Sequence, residues 1–116
     1  MNPLSVETIT DEQGRYAVLR TNGYINNLGA ERIEQEIDSL IEKGLKNFVI
    51  NFEKSPIINS MGLSILIGII EKTLEIQGTL AFTNLTEVNA ETMEIMGLTQ
   101  FARIFPTEDD ARAEVA

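Results

Sequence analysis

From Leu4 through Ser5, Val6, Glu7, Thr8 and Ile9 to Thr10, apolar and polar residues alternate with the period of a half-buried strand. The turn residues Asp11 to Gly14 separate that run from Tyr16-Ala17-Val18-Leu19-Arg20, so the chain is predicted to open on a β-hairpin. Tyr24 to Leu28, after Gly23, has no such period and reads as a loop. Ile33, Ile37, Leu40 and Ile41 then fall on one helical face, and Gly44 ends that helix. Phe48-Val49-Ile50-Asn51-Phe52 is β-branched and aromatic, as expected of a strand covered on both faces, and Lys54-Ser55-Pro56 breaks it.

Gly62 to Gln77 begins like a second buried strand, with Ile65-Leu66-Ile67 and Ile69-Ile70, but its length and its later mixture of Glu71, Lys72, Leu74, Glu75 and Ile76 make it a helix ended by Gly78. Thr79 to Thr83 is the next strand. Thr86 to Met96 is a further helix, with Val88, Met93, Ile95 and Met96 supplying its apolar contacts. Arg103-Ile104-Phe105 forms a short last strand, and Thr107-Glu108-Asp109-Asp110 starts a terminal helix whose acidic first turn complements the helix dipole. Consecutive carboxylates point in different directions, so these three acids read as a helix start rather than as a Mg²⁺ or Ca²⁺ site.

The predicted order is strand, strand, helix, strand, helix, strand, helix, strand, helix. That order implies an α/β fold, a mixed β-sheet with packed helices, filling residues 1–116 as one domain. Crossovers of this kind put the loop after the Phe48–Phe52 strand at a rim where open α/β sheets meet ligands and partners. That loop leads into Pro56-Ile57-Ile58-Asn59-Ser60-Met61-Gly62-Leu63, which delivers a serine and a glycine onto the first turn of an apolar helix. Serine there serves in one of two ways. It caps the helix, or it carries a phosphate, because first-turn N–H groups lack intrahelical partners and the dipole favours negative charge. Gly62 likewise reads as close packing or as clearance for a partner. Gly68 reads as a helix-packing position, and Met61, Met93 and Met96 read as core or rim packing.

Composition removes most alternatives. The chain has neither cysteine nor histidine, which excludes disulfides, thiolate nucleophiles, Ser-His and Cys-His pairs and the usual zinc ligands, and argues against an enzyme. Eighteen acidic against nine basic residues give a net charge of −9, which repels nucleic acid and anionic lipid. The longest apolar run, Leu63 to Ile70, is far shorter than the roughly 20 residues of a membrane span. Met1 to Glu7 lacks the basic and apolar segments of a signal peptide, so a cytoplasmic protein without metal or cofactor is expected.

Three segments together resemble the STAS family, the sulfate transporter and anti-sigma factor antagonist domains, most closely the small stand-alone bacterial members. Asn59-Ser60-Met61-Gly62-Leu63 is similar to the family's Asp-Ser-Ser/Thr-Gly-Leu segment, Gly23-Tyr24-Ile25-Asn26 to its Gly-x-Leu/Ile-Asp, and Met96-Gly97-Leu98 followed by Phe101 and Ile104-Phe105 to the segment closing its third helix. The resemblance covers nearly the whole chain and implies an anti-sigma factor antagonist active in transcription regulation. Its partner would be an anti-sigma factor that is also a serine kinase of the histidine-kinase-like ATPase type. By that resemblance Ser60 is the phosphoacceptor, with Asn26, Asn59, Met61, Gly62 and Leu63 in the partner-binding surface; binding of the unphosphorylated form frees the sigma factor. Asn26 and Asn59 stand where the family carries acids, and Met61 where it carries a hydroxyl. The alternative is a STAS scaffold or accessory subunit that docks on a signalling or transport complex without serine phosphorylation.

Overall fold

A computed structural model describes residues 3–115; Met1 and Asn2, the first residues of the stretch inspected for a signal peptide, lie outside it. The elements follow the sequence pattern in number and order: β1 (Ser5–Thr10), β2 (Ala17–Asn22), α1 (Asn27–Glu42), β3 (Asn47–Lys54), α2 (Ser60–Glu75), β4 (Thr79–Thr83), α3 (Glu87–Ile95), a 3₁₀ turn η1 (Leu98–Gln100), β5 (Arg103–Phe105) and α4 (Glu108–Val115). The five strands lie in chain order across one sheet, with β1 antiparallel to β2 and every later neighbour parallel. Three successive crossovers step one strand in the same direction, and connections of constant hand put their helices on one face.

Strand alternation divides the interior accordingly. Ala17, Leu19, Phe48, Ile50, Phe52, Leu80 and Phe82 face α1, α2 and α3, meeting Ile33 and Ile37, Leu66 and Ile69, and Met93. Phe52 and Phe82 meet edge to face at 5.3 Å. Val18, Val49 and Ala81 point the other way, into a smaller cluster with Tyr16 and with Ala111 of α4. Beyond that cluster the second face turns polar, where Arg20, Asn51 and Thr83 stand side by side in register.

Glu108, at the start of α4, closes this row. Its carboxylate takes two bonds of 2.9 Å from the Arg20 guanidinium, one of 3.1 Å from the Asn51 amide and two, of 3.0 and 3.2 Å, from Arg112. Thr107 caps the helix by accepting from the Asp110 N–H, so one of the three consecutive acids ties α4 to the sheet while Asp109 and Asp110 stay exposed. Chiefly through Arg20, then Asn51 and Arg112, the Glu108 carboxyl is held down to about 2 from 4.5. A carboxylate whose folded pKa is depressed adds stability above its unfolded pKa and loses it as the pH falls through the folded one. Glu108→Gln is therefore expected to cost about 2 kcal/mol at neutral pH. The gap to the parent chain should narrow from pH 5 down towards pH 2, the interval between the two pKa values. Urea unfolding at pH 7 and pH 3 checks this, and an equal gap at both would assign the loss to packing rather than to charge.

Three expectations about helices are corrected. Asn27 and Leu28, expected in the loop, open α1, because Asn26 caps it two residues before the expected end of that loop. Of the four apolar residues assigned to the packed face of α3, only Met93 is buried; Val88, Ile95 and Met96 are exposed. Gly68 makes no close helix contact either, since a Cβ there would find only a Glu34 carboxylate oxygen at 4.0 Å. No helix among the described residues is long and apolar enough to cross a membrane.

Candidate functional site

Past their paired lengths, the chains leaving β2 and β3 stay side by side. Gly23 N–H donates to Lys54 C=O, Ile25 N–H to Ile57 C=O, and Asn59 N–H to Ile25 C=O, each at 3.0 Å, so Ile25 and Ile58 form a parallel bridge. Each strand extension ends in an asparagine, and each asparagine caps a helix. Asn26 Oδ1 accepts from the Gly29 N–H at 2.9 Å, and Asn59 Oδ1 from the Gly62 N–H at 2.8 Å. The starts of α1 and α2 are thus built alike, as asparagine cap, polar residue, exposed apolar residue, glycine. The N-cap prefers Asn and Asp about equally, which explains how amides stand at both positions without loss of the turn.

This arrangement corrects the capping alternative for the serine. Asn59 is the cap, and Ser60 is the first helical residue. Ser60 is exposed, its backbone carbonyl accepts from Ser64, and among the described residues its hydroxyl has no hydrogen-bond partner. Neither α1 nor α2 carries an acidic residue in its first turn, so the dipole at each N-terminus is uncompensated by carboxylates.

The glycines are explained by close approach. A Cβ on Gly62 would lie 2.3 Å from the Ile25 carbonyl oxygen, and one on Gly29 2.5 Å from that of Tyr24. Gly62 is buried, so it shapes the rim by letting α2 seat against the extension of β2 rather than by meeting a partner itself. Leu63 is half-buried against the core, whereas Met61 is 62% exposed beside Ser60 and Ile57 is 61% exposed on the preceding loop. Leu28, at the matching position of α1, is exposed as well.

A cleft of about 230 Å³ runs from this helix start to α3, lined by Ile58, Asn59, Ser60 and Leu63 on one side and Val88, Asn89, Thr92 and Met93 on the other. Asn89 fastens the far wall by donating to the Pro56 carbonyl at 3.0 Å. The contribution of α3 to the site was not foreseen from the sequence. Its signal was the surplus of apolar residues on a nine-residue helix with room to bury only one of them. No group of three or more metal-ligating side chains is present among the described residues.

The STAS domain family profile matches residues 7–111, which include both asparagine caps, the serine, the cleft and α3. The chain is 29% identical over 94 residues, 81% of its own length and 78% of the other, to BtrV of Bordetella bronchiseptica, a proposed anti-sigma factor antagonist. It has the fold of an anti-sigma factor antagonist from Mycobacterium paratuberculosis (TM-score 0.76, 24% identity, 96% of this chain and 94% of that one). It also has the fold of the phosphorylated form of the Bacillus cell fate determinant SpoIIAA (TM-score 0.73, 22% identity, 97% and 99%). With nearly all of the sheet and the whole rim inside the match, the chain belongs to the STAS family.

Proposed function

We propose that this protein is an anti-sigma factor antagonist whose single regulatory phosphoacceptor is Ser60. In this reading the unphosphorylated chain binds an anti-sigma factor serine kinase of the histidine-kinase-like ATPase type and releases the sigma factor, and phosphate on Ser60 ends that binding. The contact surface is the rim formed by Asn26, Asn59, Ser60, Met61 and Leu63, with Gly62 setting its shape from beneath.

The observation that carries this reading is the exposed hydroxyl of Ser60 on the first turn of α2, already relieved of capping by Asn59. A serine that capped the helix would have to surrender its bond to the Gly62 N–H on modification; Ser60 surrenders nothing. First-turn N–H groups and the dipole then receive the new charge. Incubation with ATP and the cognate kinase is expected to add one phosphate by intact mass, and Ser60→Ala to remain unmodified. Phosphate retained by Ser60→Ala would move the acceptor elsewhere, and no phosphate on either form would favour a constitutive STAS scaffold.

A further inference from the structure

Helix α3 presents an ordered surface that the rim around Ser60 does not use up. At about 100° per residue, Val88, Thr92 and Ile95 fall within an arc of roughly 60° on its outward side. Val88 is 71% and Ile95 76% exposed. Proceeding one way around the helix from this stripe come half-exposed Met96, then Asn89 and buried Met93, which face the cleft shared with Ser60. Proceeding the other way come Glu91, Glu87 and Glu94, all exposed. Phe101, just after η1, leaves half its surface open past the C-terminal end of the helix. Across the molecule the order is therefore serine, cleft, apolar stripe, acidic edge, with Val88 and Thr92 shared between the cleft wall and the stripe.

The charge on this side is of one sign. No lysine or arginine occurs anywhere between Lys72 and Arg103, so nothing on α3 or its flanking loops neutralises the three glutamates. A second copy packed antiparallel through the same stripe would set glutamates against glutamates, and like charges in such proximity oppose association; packed parallel, it would meet them with a flank of α3 that has no lysine or arginine. Exposed apolar side chains gathered on one helix face beside a charged border mark an interaction surface, and the border selects the partner.

We propose that α3 seats an amphipathic helix of a partner protein, with apolar side chains on Val88, Ile95 and Phe101 and a row of lysines or arginines along one flank only, against Glu87, Glu91 and Glu94. This names the chemistry of the partner in the preceding section and rests on that reading only for which protein supplies the helix. The one-sided acidic edge fixes the direction in which the bound helix can lie: reversed, its basic row faces the cleft instead.

The test uses the isotope-labelled full chain and a synthetic helical peptide of about 15 residues, the length at which isolated helices become marginally stable. The peptide carries leucines at i, i+4, i+7 and i+11 and lysines on one flank. Amide shifts in heteronuclear NMR are expected to concentrate in residues 87–101. Glu91→Lys should weaken binding about fivefold, and Ile95→Asp about tenfold or more. Both positions are exposed, and unchanged circular dichroism checks that the variants remain folded. A peptide with glutamates in place of the lysines should bind at least tenfold more weakly. Equal binding of the two peptides, or shifts that bypass α3, would overturn the proposal. So would sedimentation showing a dimer that Ile95→Asp dissociates, since the occupant is then a second copy. Because the assay involves neither ATP nor phosphate, peptide binding is read separately from phosphorylation, and the result stands apart from the outcome at Ser60.

Discussion

Phosphorylated at Ser60, the protein is expected to bind the kinase partner proposed above about a hundredfold more weakly than the unmodified chain, the scale of burying an uncompensated charge in an interface. Its fold should be unchanged. Phosphate brings about −1.5 to −2 charges at neutral pH. Two environments at the site receive that charge in opposite ways. Towards the protein lie the open first turn of α2 and the neighbouring start of α1, without an acidic residue in either first turn, so the charge is accommodated. Towards solvent lie Met61, Ile57 and Val88, all more than 60% exposed, whose burial by a partner would strip water from the phosphate. The first effect preserves the domain and the second removes the partner. Calorimetric titration of the kinase with each form, alongside circular dichroism and melting of the phosphoprotein, checks both halves. Undiminished affinity sinks the switch; lost affinity together with a lost melting transition would mean that phosphate acts by unfolding the domain instead. Ser60→Asp should produce a smaller loss, because a single carboxylate carries less charge and fewer acceptor oxygens than phosphate.

Where burial alone decides an element, the sequence declared it. The Phe48–Phe52 run reads as a doubly covered strand because each of its faces meets a helix layer, and β3 does so from Phe48 to Phe52 before Glu53 and Lys54 emerge. The rim was legible as a motif but not as a geometry. Ser60 and Asn59 are both good N-caps, and choosing between them depends on where the β3 extension stops pairing with Ile25, a contact more than 30 residues away in sequence. The same bridge determines that Gly62 is a packing glycine. For α3 the periodicity makes every apolar residue a core candidate, yet Ile95 lies on the side opposite Met93 and Val88 stands exposed on the lip of the cleft. Sequence spacing reports that a helix has an apolar stripe; it does not report whether this chain or another covers it.

Gly62→Ala is expected to destabilise the domain by about 2–4 kcal/mol, in the range of substitutions that force backbone apart. The added methyl would fall 2.3 Å from the Ile25 carbonyl oxygen and 2.9 Å from the carbonyl carbon, and neither atom belongs to a flexible side chain that can swing aside. That same carbonyl accepts the Asn59 N–H, so relief of the clash pulls apart the bridge that positions the cap and, one residue later, Ser60. Gly68→Ala, two turns along the same helix, is the control. Its methyl would meet only a Glu34 carboxylate oxygen at 4.0 Å and should stabilise by about 0.5–1 kcal/mol, the ordinary gain of alanine over glycine inside a helix. Urea unfolding of both variants gives the opposite signs directly. Partner binding adds a finer test, since Gly62→Ala should lose affinity even at temperatures where circular dichroism shows it fully folded, while Gly68→Ala keeps it. A Gly62→Ala protein as stable as the parent would mean that the helix start slides off Ile25 without cost, and the rim would then be too loosely held to present Ser60 in one fixed geometry.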